Sequence, residues 1–291
     1  MKKVLATRSA PGRHWVGNGF PVHGMFDYGA GAAERSPFLL LDYAAPTRFE
    51  PTSTRRGVGQ HPHRGFETVT IVYDGEVEHR DSTGKGGVIG AGDVQWMTAG
   101  SGILHEEFHS ANYARTGGPF EMVQLWVNLP AKDKMTPPGY QAILKSDIPV
   151  RPLRDAGGEA AGQVRVIAGE FDGARGPAHT FTPINVWDVR VKAGRKVSLA
   201  QTEGWTSLLV VLDGTVQLDG GTALRAAQMA TLSAAGSEIA IEANSDAKLL
   251  LLAGAPIAEP VVGYGPFVMT SQAEIRQAIE DFNAGKFGRM G

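Results

Sequence analysis

The chain contains no cysteine. A disulfide framework and thiolate chemistry are therefore excluded, and any bound metal must be held by nitrogen and oxygen donors. Long apolar runs are also missing, and none approaches the roughly eighteen residues of a membrane-crossing helix. The N-terminal MKKVLATRSAPGRHW carries two lysines with no apolar segment behind them, so no signal peptide is expected. Together with the missing cysteine this leads to the expectation of a cytoplasmic protein. Charge of one sign is scarce as well. A net charge of -2 gives no general electrostatic attraction to nucleic acid or to an anionic membrane, and neither is expected as a partner.

What is present is abundant turn chemistry. Thirty-eight glycines and seventeen prolines interrupt short apolar runs. Strands are expected over 38–42, 67–73, 76–81, 94–98, 121–128, 185–191, 207–212, 216–219 and 248–252. Asp74-Gly75 and Asp213-Gly214 read as tight hairpin turns. An all-β barrel or sandwich is the economical architecture. One helix is expected near 272–284, where Ser271 and Glu274 have capping-box spacing, Ile275, Ala278, Ile279 and Phe282 share a face, and Gly285 closes the segment.

The two turns also reveal an internal repeat. Val72–Val77 (VYDGEV) resembles Val211–Val216 (VLDGTV), and Met97–Ser101 (MTAGS) resembles Leu232–Ser237 (LSAAGS) with one extra residue. Two tandem β domains are expected, at 1–155 and 156–291, divided near the linker-like stretch 156–162 (AGGEAAG). Counting from the paired turns and glycines sets Ala200, Thr202, Ile241 and Ala243 at the places of His61, His63, His105 and Glu107. The second domain thus lacks every candidate ligand.

Five of the eight histidines lie between 61 and 109. Alternate residues of a strand face the same way, so His61 can share a face with His63, and His105 with Glu107. Two such strands side by side would aim three imidazoles and a carboxylate at one point, which outlines a metal site. Strand alternation favours Glu107 over Glu106 and leaves the latter solvated. Imidazole and carboxylate donors suit a divalent transition metal better than calcium. A six-coordinate metal would keep two open positions, whereas zinc could be saturated by four protein ligands as a structural site.

HPHRGFETVT at 61–70, GDVQWMTAGSGILHEE at 92–107 and YGPFVM at 264–269 resemble the pirin family of the cupin superfamily, over nearly the whole chain. The resemblance implies two tandem cupin barrels (double-stranded β-helix, jelly-roll) with a short C-terminal helix, and one metal in the N-terminal barrel. It implies His61, His63, His105 and Glu107 as ligands, with Fe(II) the first choice of metal and Ni, Cu, Mn, Co or Zn as alternatives. A typical cupin takes its carboxylate from the first motif, whereas here it follows His105 by two residues. Glu67, near the usual cupin glutamate position, is the second-choice ligand.

Some pirins resemble quercetin 2,3-dioxygenases, which implies a flavonol substrate, O2 as co-substrate and CO as product. Glu107 would then be the catalytic base as well as a ligand. The alternative is a non-enzymatic, iron-redox regulatory cupin that reads a protein partner in transcription or metabolism. His79 and His109 are expected to be exposed strand residues. Phe66, Trp96 and Met97 read equally as barrel core or cavity lining. Arg55, Arg56 and Arg64 flank the ligand segment, either to attract an anion or as a solvated rim.

Overall fold

The computed structural model describes residues 1–291. Two compact units form, and neither is one continuous stretch. One comprises Pro11–Ala33, Phe38–Lys145 and Ile257–Gly291, and the other Met1–Ala10, Glu34–Pro37 and Ser146–Pro256. A single division after residue 155 does not describe this arrangement. The reason is local: Val4–Ser9 forms an antiparallel strand against Gln228–Leu232 of the second unit, and the chain after Ile257 returns to the first.

The first unit is a β-sandwich closed into a barrel. Its seven-stranded sheet runs in the order Gly139–Ile143, Val94–Thr98, Phe66–Asp74, Gly118–Asn128, Phe38–Phe49, Phe20–Phe26, His14–Val16. Its four-stranded sheet runs Gly57–His63, Ile103–His109, Glu76–Asp81, Gly86–Gly90. Apolar side chains fill much of the interior, among them Phe20, Val72, Val77, Ile89 and Phe120. The tight turn expected at Asp74-Gly75 is there, with Gly75 at φ +86°. A Cβ at Gly75 would lie 2.6 Å from the Phe120 ring, so both the backbone and the space require glycine.

The second unit repeats the same strand order. Its seven-stranded sheet ends on Val4–Ser9, and its four-stranded sheet runs Lys196–Ala200, Glu238–Ala243, Thr215–Leu218, Thr222–Arg225. Its interior is packed with apolar side chains, with Val197, Leu199, Ile239 and Ile241 on the two strands equivalent to those bearing the histidines. Counting from the turns misplaces one strand by three residues: Ile241 pairs with Val197, and Ala200 and Thr202 are exposed. No cluster of three potential metal ligands occurs in this unit. The all-β fold of two cupin barrels with a short terminal helix therefore stands.

The terminal helix spans Gln272–Asn283. The Ser271 hydroxyl accepts from the Glu274 N–H at 3.3 Å, and the Glu274 carboxylate accepts in return from the Ser271 backbone N–H, completing the capping box. Ile275 and Ala278 are buried, and Phe282 stays 38% exposed. The helix is fastened through Asp281, which accepts from Arg64 Nη1 at 2.9 Å and from Lys286 Nζ at 2.8 Å. Lys286, then Arg64, holds the Asp281 carboxyl well below the usual carboxylate range. A depressed carboxyl stabilises the folded state above its unfolded value, near ~4, and loses that contribution only as pH falls toward the depressed value. The C-terminal segment should thus resist limited proteolysis well into acid, while Arg64→Met should release it at neutral pH.

Candidate metal centre

Three imidazoles converge. The ligand atoms of His61, His63 and His105 lie within 4.8 Å of one another. Ring centroids are 4.2 Å apart for His61 and His105 and 4.9 Å for each other pair. Backbone pairing explains this, because His105 stands directly opposite His61 across two antiparallel strands. Pro62, between the two histidines, cannot donate to a ladder, and it is tolerated because Gly57–His63 is an edge strand.

Glu107 is placed less simply. The strand pairing shifts register between His105 and Glu107, so that Glu107 stands opposite Val58. This bulge puts the carboxylate in an overlapping group with His105 and His79, also within 4.8 Å. Its Oε1 accepts from Thr70 Oγ1 and from Gln95 Nε2, each at 3.1 Å. Oε2 is the oxygen left for a further partner.

His79, expected at the surface, is completely buried. Its strand alternates Val77, His79 and Asp81 inward with Glu78 and Arg80 outward, and the inward parity of Val77 was the readable signal. His79 Nε2 lies 3.1 Å from Asp81 Oδ2, and its Nδ1 lies 3.1 Å from Gln95 Nε2 and 3.4 Å from His105 Nδ1. One proton assignment satisfies all of these contacts. His79 Nε2–H donates to Asp81, while its Nδ1 accepts from Gln95 and from His105 Nδ1–H. Both His79 nitrogens are then engaged, and His105 Nε2 keeps its lone pair.

The donor set fits a transition metal. His105 Nε2 and His63 Nδ1 are buried without any hydrogen-bond partner, an arrangement that is costly unless a cation takes the lone pairs. His61 Nδ1 lies 2.8 Å from the Gly59 carbonyl, which fixes the proton there and frees Nε2. The His63 ring is held by the Pro266 carbonyl. Burial, and then the neighbouring imidazoles, hold His63 and His105 well below the ordinary histidine range, so both are neutral. Neutral imidazoles held by a second hydrogen bond are the usual metal donors.

The remaining candidates take other roles. Glu67 is buried, accepts from Thr98 Oγ1 at 2.8 Å, and is pushed up to about 7 by burial. It lies three residues from the inward-facing Thr70 and so points away from the histidines. Glu106 faces outward and pairs with Arg55 at 3.3 Å. His109 is buried, against the expected exposure, between the Phe49 and Phe120 rings at 4.7 and 4.8 Å, and burial pushes it down to about 4. Arg64 is not a solvated rim, since its side chain is only 5% exposed and it binds Asp281 and the Ser101 carbonyl. Arg55 and Arg56 lie over the rings of Phe108 and Phe49. Phe66 stacks on Trp126 at 4.2 Å beside His63, Met97 packs with Ile103 and Tyr140, and Trp96 is fully buried.

A cavity of about 310 Å³ adjoins the cluster, lined by His61, His63 and Glu107 on one side. Val16, Phe20, Val22, Leu40, Met122 and Trp126 make most of its remaining wall. Its volume is at the lower end of the ~300–1,000 Å³ typical of small-molecule sites.

Comparison with known proteins agrees with this fold. The family model described as Pirin matches residues 19–127, and the one described as Pirin C-terminal cupin domain matches 186–288. A Pseudomonas aeruginosa protein provisionally named quercetin 2,3-dioxygenase is 57% identical over 99% of both chains. The crystal structure of a quercetin 2,3-dioxygenase from Acinetobacter baumannii is 55% identical, with a TM-score of 0.95 over 99% of both chains. A bacterial pirin from Escherichia coli, solved in complex with nickel(II), is 20% identical with a TM-score of 0.63 over 87% of this chain and 99% of its own, a likeness of fold.

Proposed function

The chain belongs to the pirin family, and from that premise we propose that its first barrel is a metal-dependent dioxygenase opening the ring of a flavonol with O2 and releasing CO. The observation that carries this reading is the pair of orphaned imidazole nitrogens, on His63 and His105, beside an apolar cavity of small-molecule size. His61, His63 and His105 would hold the metal, with Glu107 through Oε2 as the fourth ligand and Fe(II) as the first choice. When bound, such a metal supplies Lewis acidity toward a substrate hydroxyl and a centre at which oxygen and substrate meet.

The protein's own groups supply the rest. Glu107 accepts the proton of the flavonol 3-hydroxyl, and Thr70 and Gln95 hold the carboxylate in place for that transfer. The apolar wall, with Phe20 and Trp126, packs against a flat aromatic body and excludes water from it. His79, backed by Asp81, keeps the His105 ring in one tautomer. Metal-loaded protein incubated aerobically with quercetin should consume the flavonol absorbance and release CO in equal amounts. Turnover that is indifferent to metal removal, or no turnover with any of the six metals, sinks the reading.

A further inference from the structure

One polar row crosses the interior of the first barrel from the histidine cluster. Cross-strand pairing aligns Gly24 with Asp42, Asp42 with Gln124, Gln124 with Thr70, and Thr70 with Gln95, on five neighbouring strands. Paired residues on adjacent strands face the same side, so these side chains form a continuous line across the sheet. One end is tied to the metal cluster, because Gln95 and Thr70 both bind Glu107. Thr70 Oγ1 also lies 2.7 Å from Gln124 Oε1. The other end is Asp42, whose carboxylate makes no hydrogen bond within the protein. Gly24 beside it leaves room next to that carboxylate, where an added Cβ would sit 3.5 Å from Asp42 Oδ1 and 3.6 Å from His14 Cε1.

Asp42 and Gln124 line the same cavity as His61, His63 and Glu107. The cavity therefore has one polar strip, running from the histidines past Gln124 to Asp42, with apolar wall on its other sides. We propose that Asp42 is a second polar anchor for the substrate, accepting a hydrogen bond from a hydroxyl on the part of an aromatic molecule held away from the histidines. It selects molecules with hydroxyl groups at both ends of a flat apolar body. This deepens the dioxygenase reading and rests on it only in assuming that the substrate occupies this cavity.

Chemistry agrees with the geometry. Burial pushes the Asp42 carboxyl up to about 6, with His14 drawing it down and Asp27 raising it. At neutral pH it is thus a half-buried carboxylate, a strong acceptor that has His14 nearby but takes no hydrogen bond from the protein. A hydroxyl that meets it gains a charge-assisted hydrogen bond, and an analogue without that hydroxyl leaves the carboxylate desolvated and unpaired.

The test compares binding of 2,6-dihydroxynaphthalene and 2-naphthol by fluorescence titration to full-length, metal-loaded protein, beside turnover of quercetin. Wild type should prefer the dihydroxy probe by about 10- to 100-fold. Asp42→Leu should erase that preference while leaving 2-naphthol as tightly bound, and Asp42→Asn, which keeps the shape of the row, should retain a reduced preference. A preference that survives Asp42→Leu, equal weakening of both probes, or no binding of either probe to the wild type overturns the anchor. Absence of quercetin turnover with the probe preference intact sinks the dioxygenase reading alone.

Discussion

His105→Ala should abolish stoichiometric metal binding, while Asp81→Asn should weaken it by about 10- to 100-fold with the three histidines untouched. His105 is completely buried and is the one residue common to both potential ligand groups. Its loss removes an imidazole and empties the space between His61 and His79. In Asp81→Asn the side chain stays the same size, but the amide can donate to His79 Nε2. That favours the other His79 tautomer, with the proton on Nδ1, where it would meet His105 Nδ1–H and the Gln95 amide. Three donors would then face each other, and His105 must turn or shift its proton to Nε2, the atom a metal needs. Metal analysis and titration calorimetry on the two variants measure both effects. Full occupancy in His105→Ala would refute the ligand assignment, and wild-type affinity in Asp81→Asn would refute the role of His79.

Gly57→Ala should destabilise the first barrel by about 1–3 kcal/mol and weaken metal binding at the same time. Gly57 opens the strand that carries His61 and His63, and it pairs with Phe108 just beyond the register shift at Glu107. A Cβ there would fall 2.2 Å from the Glu107 carbonyl oxygen and 2.5 Å from the Phe108 Cα. Backbone atoms cannot rotate aside as a side chain does, so the two strands must separate. Those strands carry all four proposed ligands. Thermal unfolding with and without added metal separates the two losses, because a distorted site should show a smaller metal-induced rise in Tm. An unchanged Tm would show that the strands give way at no cost.

The sequence made the pairing of His61 with His63 legible, because two-residue spacing survives any strand twist. It also identified the outward Glu106 correctly, through the same alternation. Alternation could not show the bulge after His105, which depends on how two distant segments pair, so the offset of Glu107 from His61 and His63 was invisible. His79 was misread for a different reason. Its neighbours Glu78 and Arg80 are charged, and their character masked the inward parity shared by Val77 and Asp81. Arg64 is unreadable from its own segment, since Asp281 is 217 residues away. The helix Gln272–Asn283 was legible because its cap and apolar face are local, with Phe282 alone left exposed. Its attachment to the first unit, like that of Val4–Ser9 to the second, is a long-range choice that no local pattern records.

That crossing of the chain ends sets an order of events during synthesis. The three histidines leave the ribosome early, but the carbonyl that holds the His63 ring belongs to Pro266, and Arg64 awaits Asp281. Lys134 likewise remains without one of its three acceptors until Val268 arrives. The histidine cluster therefore takes its final shape only once residues 266–281 have been synthesised.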